Sequence, residues 1–119
     1  MAQYNHLPIF QLAYKLTLEI HQTTHHFSRE YKYTLGQKLK EISAECLDFI
    51  ILANSQQNKI SSLNETRLRL ERLRIHIRLS CDLRIITLKK YEFLVRCSEE
   101  LSKQLYGWQD WASKELVQE

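Results

Sequence analysis

The residues best suited to chemistry are arginines, and seven of the chain's eight lie between Arg67 and Arg96. Arginine ends in a planar fork of N–H donors that matches phosphate oxygens and stays charged at any cellular pH. Residues 60–96 carry a net charge of +5, whereas the whole chain carries only +3. This concentration predicts a polyanionic partner. No base-reading motif accompanies it, so we expect mostly sequence-independent binding of RNA or DNA. The candidate phosphate-binding residues are Arg67, Arg69, Arg72, Arg74, Arg78, Arg84, Lys89, Lys90 and Arg96.

The same arginines have carboxylates within reach along a helix. Glu71 lies three residues before Arg74, and Asp82 lies four residues after Arg78. Oppositely charged side chains at these spacings are neighbours on a helix surface. Each arginine therefore has two predicted uses, phosphate contact or structural ion pairing, and the sequence leaves both open.

The stretch from Arg67 to Ile86 positions most of these charges, and its pattern predicts a helix with two apolar faces. Apolar and charged residues alternate as in a strand, but about 20 residues without Gly or Pro, rich in Leu and Arg, favour a helix. One face collects Leu70, Leu73, Ile77 and Cys81. The opposite face collects Leu68, Ile75, Leu79, Leu83 and Ile86. A helix with two such faces packs one face into its own bundle and the other against a neighbouring subunit. We therefore expect a homo-oligomer. We assign the second set to its interface, although the pattern alone also fits the reverse assignment.

The whole chain has the composition of a single helical domain. Its 119 residues include only two Gly and one Pro, with 44% hydrophobic and 26% charged residues, which is typical of a helical protein. Capping pairs Thr34/Gln37 and Ser62/Glu65, and an N-cap at Thr87, mark predicted helix starts. We expect one domain, residues 1–119, folded as an all-α antiparallel up-down four-helix bundle. The predicted helices span about 8–28, 35–55, 63–86 and 88–113.

Histidine and cysteine spacing gives no strong metal or disulfide signal. His21 and His25 lie four residues apart, but no third ligand is evident, so we interpret them as structural or solvated and expect no metal or cofactor. The three cysteines fall at or near apolar helical positions and form no CxxC spacing, which favours reduced, buried thiols. They are Cys46, Cys81 and Cys97.

Enzyme and membrane classes are poorly supported by the sequence. There is no Gly-rich phosphate loop, nucleophile elbow or ExxH helix motif. Glu41, Glu45 and Asp48 have the spacing of a solvated helix face. The longest apolar run is Phe49 to Ala53, far short of a membrane span, and the first residues do not resemble a secretion signal. We expect a non-catalytic cytoplasmic protein without membrane contact.

Three blocks of this sequence resemble the accessory variability proteins (Avd) of bacterial and phage diversity-generating retroelements. The first is Tyr33-Thr34-Leu35-Gly36-Gln37-Lys38-Leu39, similar to an aromatic-Thr-Leu-Gly pattern at the second helix. The second is Arg69-Leu70-Glu71-Arg72-Leu73-Arg74 with Arg78-Leu79, Asp82-Leu83-Arg84, Leu88 and Tyr91-Glu92. The third is Gly107-Trp108. The resemblance spans about residues 7 to 112, and it departs from the family at Phe27-Ser28-Arg29, where Pro often precedes Arg.

The resemblance implies a ring-shaped homopentamer of four-helix bundles that binds the reverse transcriptase of the retroelement. The reverse transcriptase performs the chemistry, and this chain would help position template RNA or its cDNA during mutagenic copying. Proteins encoded in intervening sequences of large-subunit ribosomal RNA belong to the same broad superfamily and are an alternative. A second alternative is a purely structural oligomeric adaptor without affinity for nucleic acid.

Overall fold

Helices account for nearly all of the chain that the structure describes. The structure is a computed structural model covering residues 3–118. Over this range the chain forms four long helices and one short helix, with no β-strand. This confirms the predicted all-α class. The helices are α1 (Pro8–His25), α2 (Arg29–Lys32), α3 (Leu35–Ser55), α4 (Ile60–Asp82) and α5 (Leu88–Gln118).

The four long helices occupy the corners of an elongated bundle. The main packing contacts join α1 to α3, α3 to α4, α4 to α5 and α5 back to α1. The body measures 51 × 23 × 21 Å. Because short connections join consecutive long helices, the bundle has an up-down topology. Each corner helix therefore has one buried face, two edges against its neighbours and one outer face.

The core of α4 mixes aliphatic side chains with small hydroxyl side chains. Leu70, Leu73 and Ile77 are at most 1% exposed, and they lie on the first of the two predicted apolar faces. Thr66 and Ser80 are equally buried beside them. Their hydroxyls donate to the carbonyls of Ser62 and His76, each at 2.9 Å. Since these hydroxyls are satisfied within the helix, they enter the core without an unpaired donor.

One predicted helix end, one predicted helix start and two predicted caps differ from the structure. The first helix ends at His25, not near Ser28, because Phe27 turns back into the core and Ser28 adopts an extended conformation before α2. Thr34 precedes α3 as predicted, but its hydroxyl donates to the Glu30 carbonyl at 3.1 Å and caps nothing. The predicted Ser62/Glu65 cap is also wrong. The helix starts earlier, at Ile60, whose N–H donates to Asn58 Oδ1 at 3.2 Å.

The end of α4 also differs from the prediction of a helix reaching residue 86. Arg84 has φ of +61°, the left-handed conformation that usually ends helices at glycine. The N–H of Ile85 donates to the Ser80 carbonyl, and the N–H of Arg84 donates to the Cys81 carbonyl, both at 2.9 Å. These two bonds form a Schellman motif, so the helix stops at Asp82. The next helix starts at Leu88 as predicted, but it reaches Gln118 instead of residue 113.

Candidate nucleic-acid and assembly surfaces

One row of arginines lies on the edge of α4 that faces α5. Gln109 of α5 donates to Asn64 at 3.1 Å, which identifies this edge, and Arg67, Arg74 and Arg78 follow Asn64 at helical spacings. Arg74 pairs with Glu71 at 3.5 Å, and Arg78 pairs with Asp82 at 3.7 Å while staying 75% exposed. Arg67 is exposed and makes no ion pair with any residue between 3 and 118. Ion pairs this exposed contribute little to stability, so the row remains available to a partner.

The opposite edge of α4 uses its arginines to contact α3. The Arg69 guanidinium lies 4.7 Å from the centre of the Phe49 ring and pairs with Glu65. Arg72 pairs with Glu45 of α3 at 3.9 Å. Both positions therefore match the structural use that the sequence left open. The structure does not bring them together with the α5-facing row.

A third group of basic residues lies at one end of the bundle. Lys89 and Arg96 are exposed, and in the described part of the chain neither makes an ion pair. Lys90 is partly engaged, because its Nζ lies 3.3 Å from Glu19 and 5.2 Å from the centre of the Phe93 ring. A cleft of about 380 Å³ lies here, lined by Glu19, Thr87, Lys89, Lys90, Phe93 and Arg96. We call Arg84, Lys89, Lys90 and Arg96 the bundle-end cluster.

The cleft includes three residues that sequence reasoning did not assign to the site, Glu19, Thr87 and Phe93. Phe93 is half-buried, and Lys90 Nζ lies over its ring. Thr87 accepts a hydrogen bond from the Lys90 N–H at 3.1 Å, so the predicted N-cap is present and fixes the first turn of α5. An N-capped first turn followed by two lysines is recognisable in the sequence, but the proximity of Glu19 on α1 is not.

The outer face of α4 is an exposed apolar stripe. Leu68, Ile75, Leu79 and Leu83 are 50%, 63%, 43% and 45% exposed. The structure thus decides between the two faces, since the face of Leu70 forms the core and this one is open. Ile86 departs from the predicted set. It follows the Schellman turn, is half-buried and packs against the core, so the prediction that it continues this helix face is wrong.

Two of the three cysteines are buried, whereas the three histidines at the end of α1 are exposed. The three cysteines are free, with Cys46 and Cys97 buried and Cys81 half-buried. Burial, with a smaller contribution from the neighbouring Glu45 carboxylate, raises the pKa of the Cys46 thiol from 9.0 to about 12. Burial also raises the pKa of Cys97. His21, His25 and His26 are exposed on α1 and just after it, and residues 3–118 contain no group of three side chains placed to hold a metal ion.

Comparison with known families covers almost the same span as the bundle. The model of the family described as bAvd-like matches residues 8–112, from the first residue of α1 to within the last turns of α5. The chain belongs to the bAvd-like family. No curated protein matches it.

The two glycines in the motifs of this Avd-like chain have different surroundings, and only the first is explained by packing. Gly36 is buried at the start of α3, and an added Cβ would lie 3.3 Å from both the Phe27 ring and the Tyr31 carbonyl oxygen. Gly107 is exposed, and an added Cβ would meet nothing within 4 Å.

Among residues 3–118, no helix of the Avd-like chain is long and apolar enough to span a membrane.

Proposed function

We propose that this Avd-like chain is a non-catalytic accessory protein of a diversity-generating retroelement. In that role it forms a ring-shaped homopentamer, binds the reverse transcriptase and holds template RNA or its cDNA. Family membership supports the retroelement context. The observation that carries the proposal is the exposed α4 stripe with unpaired cationic side chains close by in the sequence. An apolar surface of this kind favours protein association, whereas the cations favour a polyanion.

The bundle-end cluster is the best candidate for nucleic-acid contact. Arg84, Lys89 and Arg96 are exposed and have no carboxylate partner among residues 3–118, so phosphate binding does not require breaking an ion pair. Arg69 and Arg72, in contrast, already contact α3. Phosphate contacts supply affinity without reading sequence. We therefore expect similar affinity for single strands of different sequence.

Salt dependence tests this assignment directly. Neutralising phosphates releases counterions, and for single strands the slope of log affinity against log salt is about −0.7 per phosphate. The triple variant Arg84→Gln, Lys89→Gln, Arg96→Gln should therefore reduce the slope by about 2. Fluorescence anisotropy with a labelled single-stranded RNA, measured over a salt series, gives both slopes.

A matched control removes the same charge elsewhere. The triple variant Lys40→Gln, Lys103→Gln, Lys114→Gln changes a half-buried lysine on α3 and two exposed lysines farther along α5. It should leave the slope nearly unchanged. An equal loss in both variants would show a diffuse effect of net charge, and absence of binding by the original chain at low salt would contradict the nucleic-acid role.

The protein partner requires a separate measurement. Purified reverse transcriptase of the same retroelement should be retained by the tagged chain after nuclease treatment, because we propose direct protein contact. Retention without any nucleic-acid affinity would favour the structural adaptor instead. No retention, with or without RNA, would contradict the accessory role. Native mass measurement of the chain alone tests the pentamer.

A further inference from the structure

The exposed stripe of α4 needs an acceptor surface if copies of this chain form a ring. In a closed ring each copy uses two different surfaces, one donating and one accepting. The stripe, Leu68, Ile75, Leu79 and Leu83, supplies only the first. The need for a second surface to receive the stripe rests on the homo-oligomer proposed above.

The outer face of α3 combines exposed apolar and acidic side chains. Glu41, Ala44, Asp48 and Leu52 recur at spacings of three and four, which places them on one side of the helix. All four are exposed, Leu52 to 42%. Within residues 3–118, Asp48 makes no ion pair, and Glu41 pairs only with Lys38, at 3.8 Å. We call these four residues the α3 outer face.

The charges of this face match the arginine row beside the stripe in sign and in spacing. Glu41 and Asp48 are seven residues apart, as are Arg67 and Arg74. Seven residues advance a helix by about 10.5 Å, so both pairs can meet at once when two helices lie side by side. Arg67 and Arg74 lie on the edge of α4 next to the stripe, so they can flank an apolar contact made by Leu68 and Ile75. Apolar contact and charge pairing would therefore form together.

The geometry points to the α3 outer face of a second copy as the surface that receives the α4 stripe. α3 and α4 occupy adjacent corners of the bundle, so their outer faces point roughly 90° apart. Docking one onto the other turns each copy relative to the last by a similar angle. Such a head-to-tail contact closes after about four or five copies. Contact between diagonal corners would instead extend in a line.

The exposed apolar side chains of α1 are less suitable as the acceptor of the α4 stripe. Tyr14 and Leu18 on α1 are 50% and 46% exposed, but Lys15 lies between them in sequence. The nearest carboxylate along α1, Glu19, is already paired with Lys90 at 3.3 Å. The arginine row beside the stripe would thus meet another positive charge, Lys15, on α1.

Glu92 and Glu99 of α5 are also exposed and seven residues apart, but Lys89, Arg96 and Lys103 lie three or four residues from them on the same side of that helix. The α3 outer face combines two carboxylates at this spacing with exposed apolar side chains.

Charge reversal tests the assignment. The acceptor variant is Glu41→Lys with Asp48→Lys, and the donor variant is Arg67→Glu with Arg74→Glu. Each places like charges across the contact, which is strongly unfavourable, so each should raise the concentration of half-assembly at least about tenfold. Combining all four substitutions restores opposite charges and should recover most of the assembly. Native mass spectrometry and light scattering measure the assembled fraction, and circular dichroism checks the helices.

A control and a reference separate the outcomes. Glu99→Lys reverses an exposed carboxylate on α5 that makes no ion pair in the described range, and it should leave assembly unchanged. If the unmodified chain assembles but the charge variants behave like Glu99→Lys, the acceptor assignment is wrong while the oligomer stands. If the unmodified chain is a single copy at every concentration, the proposed oligomer itself fails.

Discussion

The two apolar faces of α4 are similar in sequence but opposite in environment. Leu70, Leu73 and Ile77 are at most 1% exposed, whereas Leu68 and Ile75 on the other side are at least 50% exposed. Both faces consist of Leu and Ile at helical spacing, so hydrophobicity alone does not separate them. Hydroxyl side chains are buried on the first face only. The comparison shows that a core face can be identified by small, self-satisfied polar residues as well as by its apolar ones.

The sharpest way to break this comparison is to truncate one residue on each face. Leu73→Ala removes a fully buried side chain and should lower the free energy of unfolding by about 2–5 kcal/mol. Ile75→Ala removes one that is 63% exposed. In the single copy, it should change the free energy of unfolding by no more than about 0.5 kcal/mol. Urea unfolding at low protein concentration measures both values.

For self-association we expect the larger effect from Ile75→Ala and the smaller one from Leu73→Ala. Ile75→Ala should weaken self-association, because its side chain lies on the proposed interface, while the residual folded fraction of Leu73→Ala should still associate. Equal unfolding losses for the two variants at low concentration would contradict the division into a core face and an open face.

The helices themselves were largely predictable, because their amphipathic spacing is a local property. The bounds of α3 agree with the predicted 35–55. The end of α4 was not predictable, since it depends on Arg84 adopting φ of +61°, a conformation that the sequence signals only when glycine or asparagine is present. The four consecutive hydrophobic or basic residues after Asp82 look like a continuing helix.

A second prediction concerns how the free energy of unfolding changes with pH, because the buried Cys46 thiol titrates at different pH in the folded and unfolded states. The pKa of the Cys46 thiol is raised by burial to about 12, so the folded state keeps a proton that the unfolded state loses above about pH 9. The unfolded state then binds fewer protons, and the free energy of unfolding falls as pH rises from about 9 towards 12. The slope should be on the order of 1 kcal/mol per pH unit.

The control for this effect is Cys46→Ala, compared with the original chain in urea unfolding at pH 8, 9 and 10. The variant is less stable at every pH because a buried side chain is lost, but its stability should fall less steeply with pH. Identical slopes in the two proteins would show that the fall comes from other groups, such as lysines that titrate in the same range.

The sequence locates the basic residues, but it does not show which neighbouring helix each of them contacts. Helical periodicity alone places Arg69 and Arg74 on different edges of α4. It does not show that Arg69 lies against Phe49 of α3 while Arg74 lies beside Glu71. Which edge is occupied depends on how α3 and α5 pack, and this is information from distant parts of the chain. The bundle-end cleft likewise needs Glu19 from α1, which no local pattern connects to Lys90.

The smallest effect concerns the two glycines, which compare a packed with an open helix position. Gly107→Ala should raise the free energy of unfolding by roughly 0.5–1 kcal/mol, because alanine favours a helix and the added Cβ meets nothing within 4 Å. Gly36→Ala should instead lower it, since the Cβ would lie 3.3 Å from a backbone carbonyl oxygen and an aromatic ring. Thermal and urea unfolding of both variants as monomers measure whether each substitution raises or lowers the free energy of unfolding. A gain for Gly36→Ala would mean that Phe27 and Tyr31 can move aside, and a loss for Gly107→Ala would mean that the last turns of α5 are not open in the folded chain.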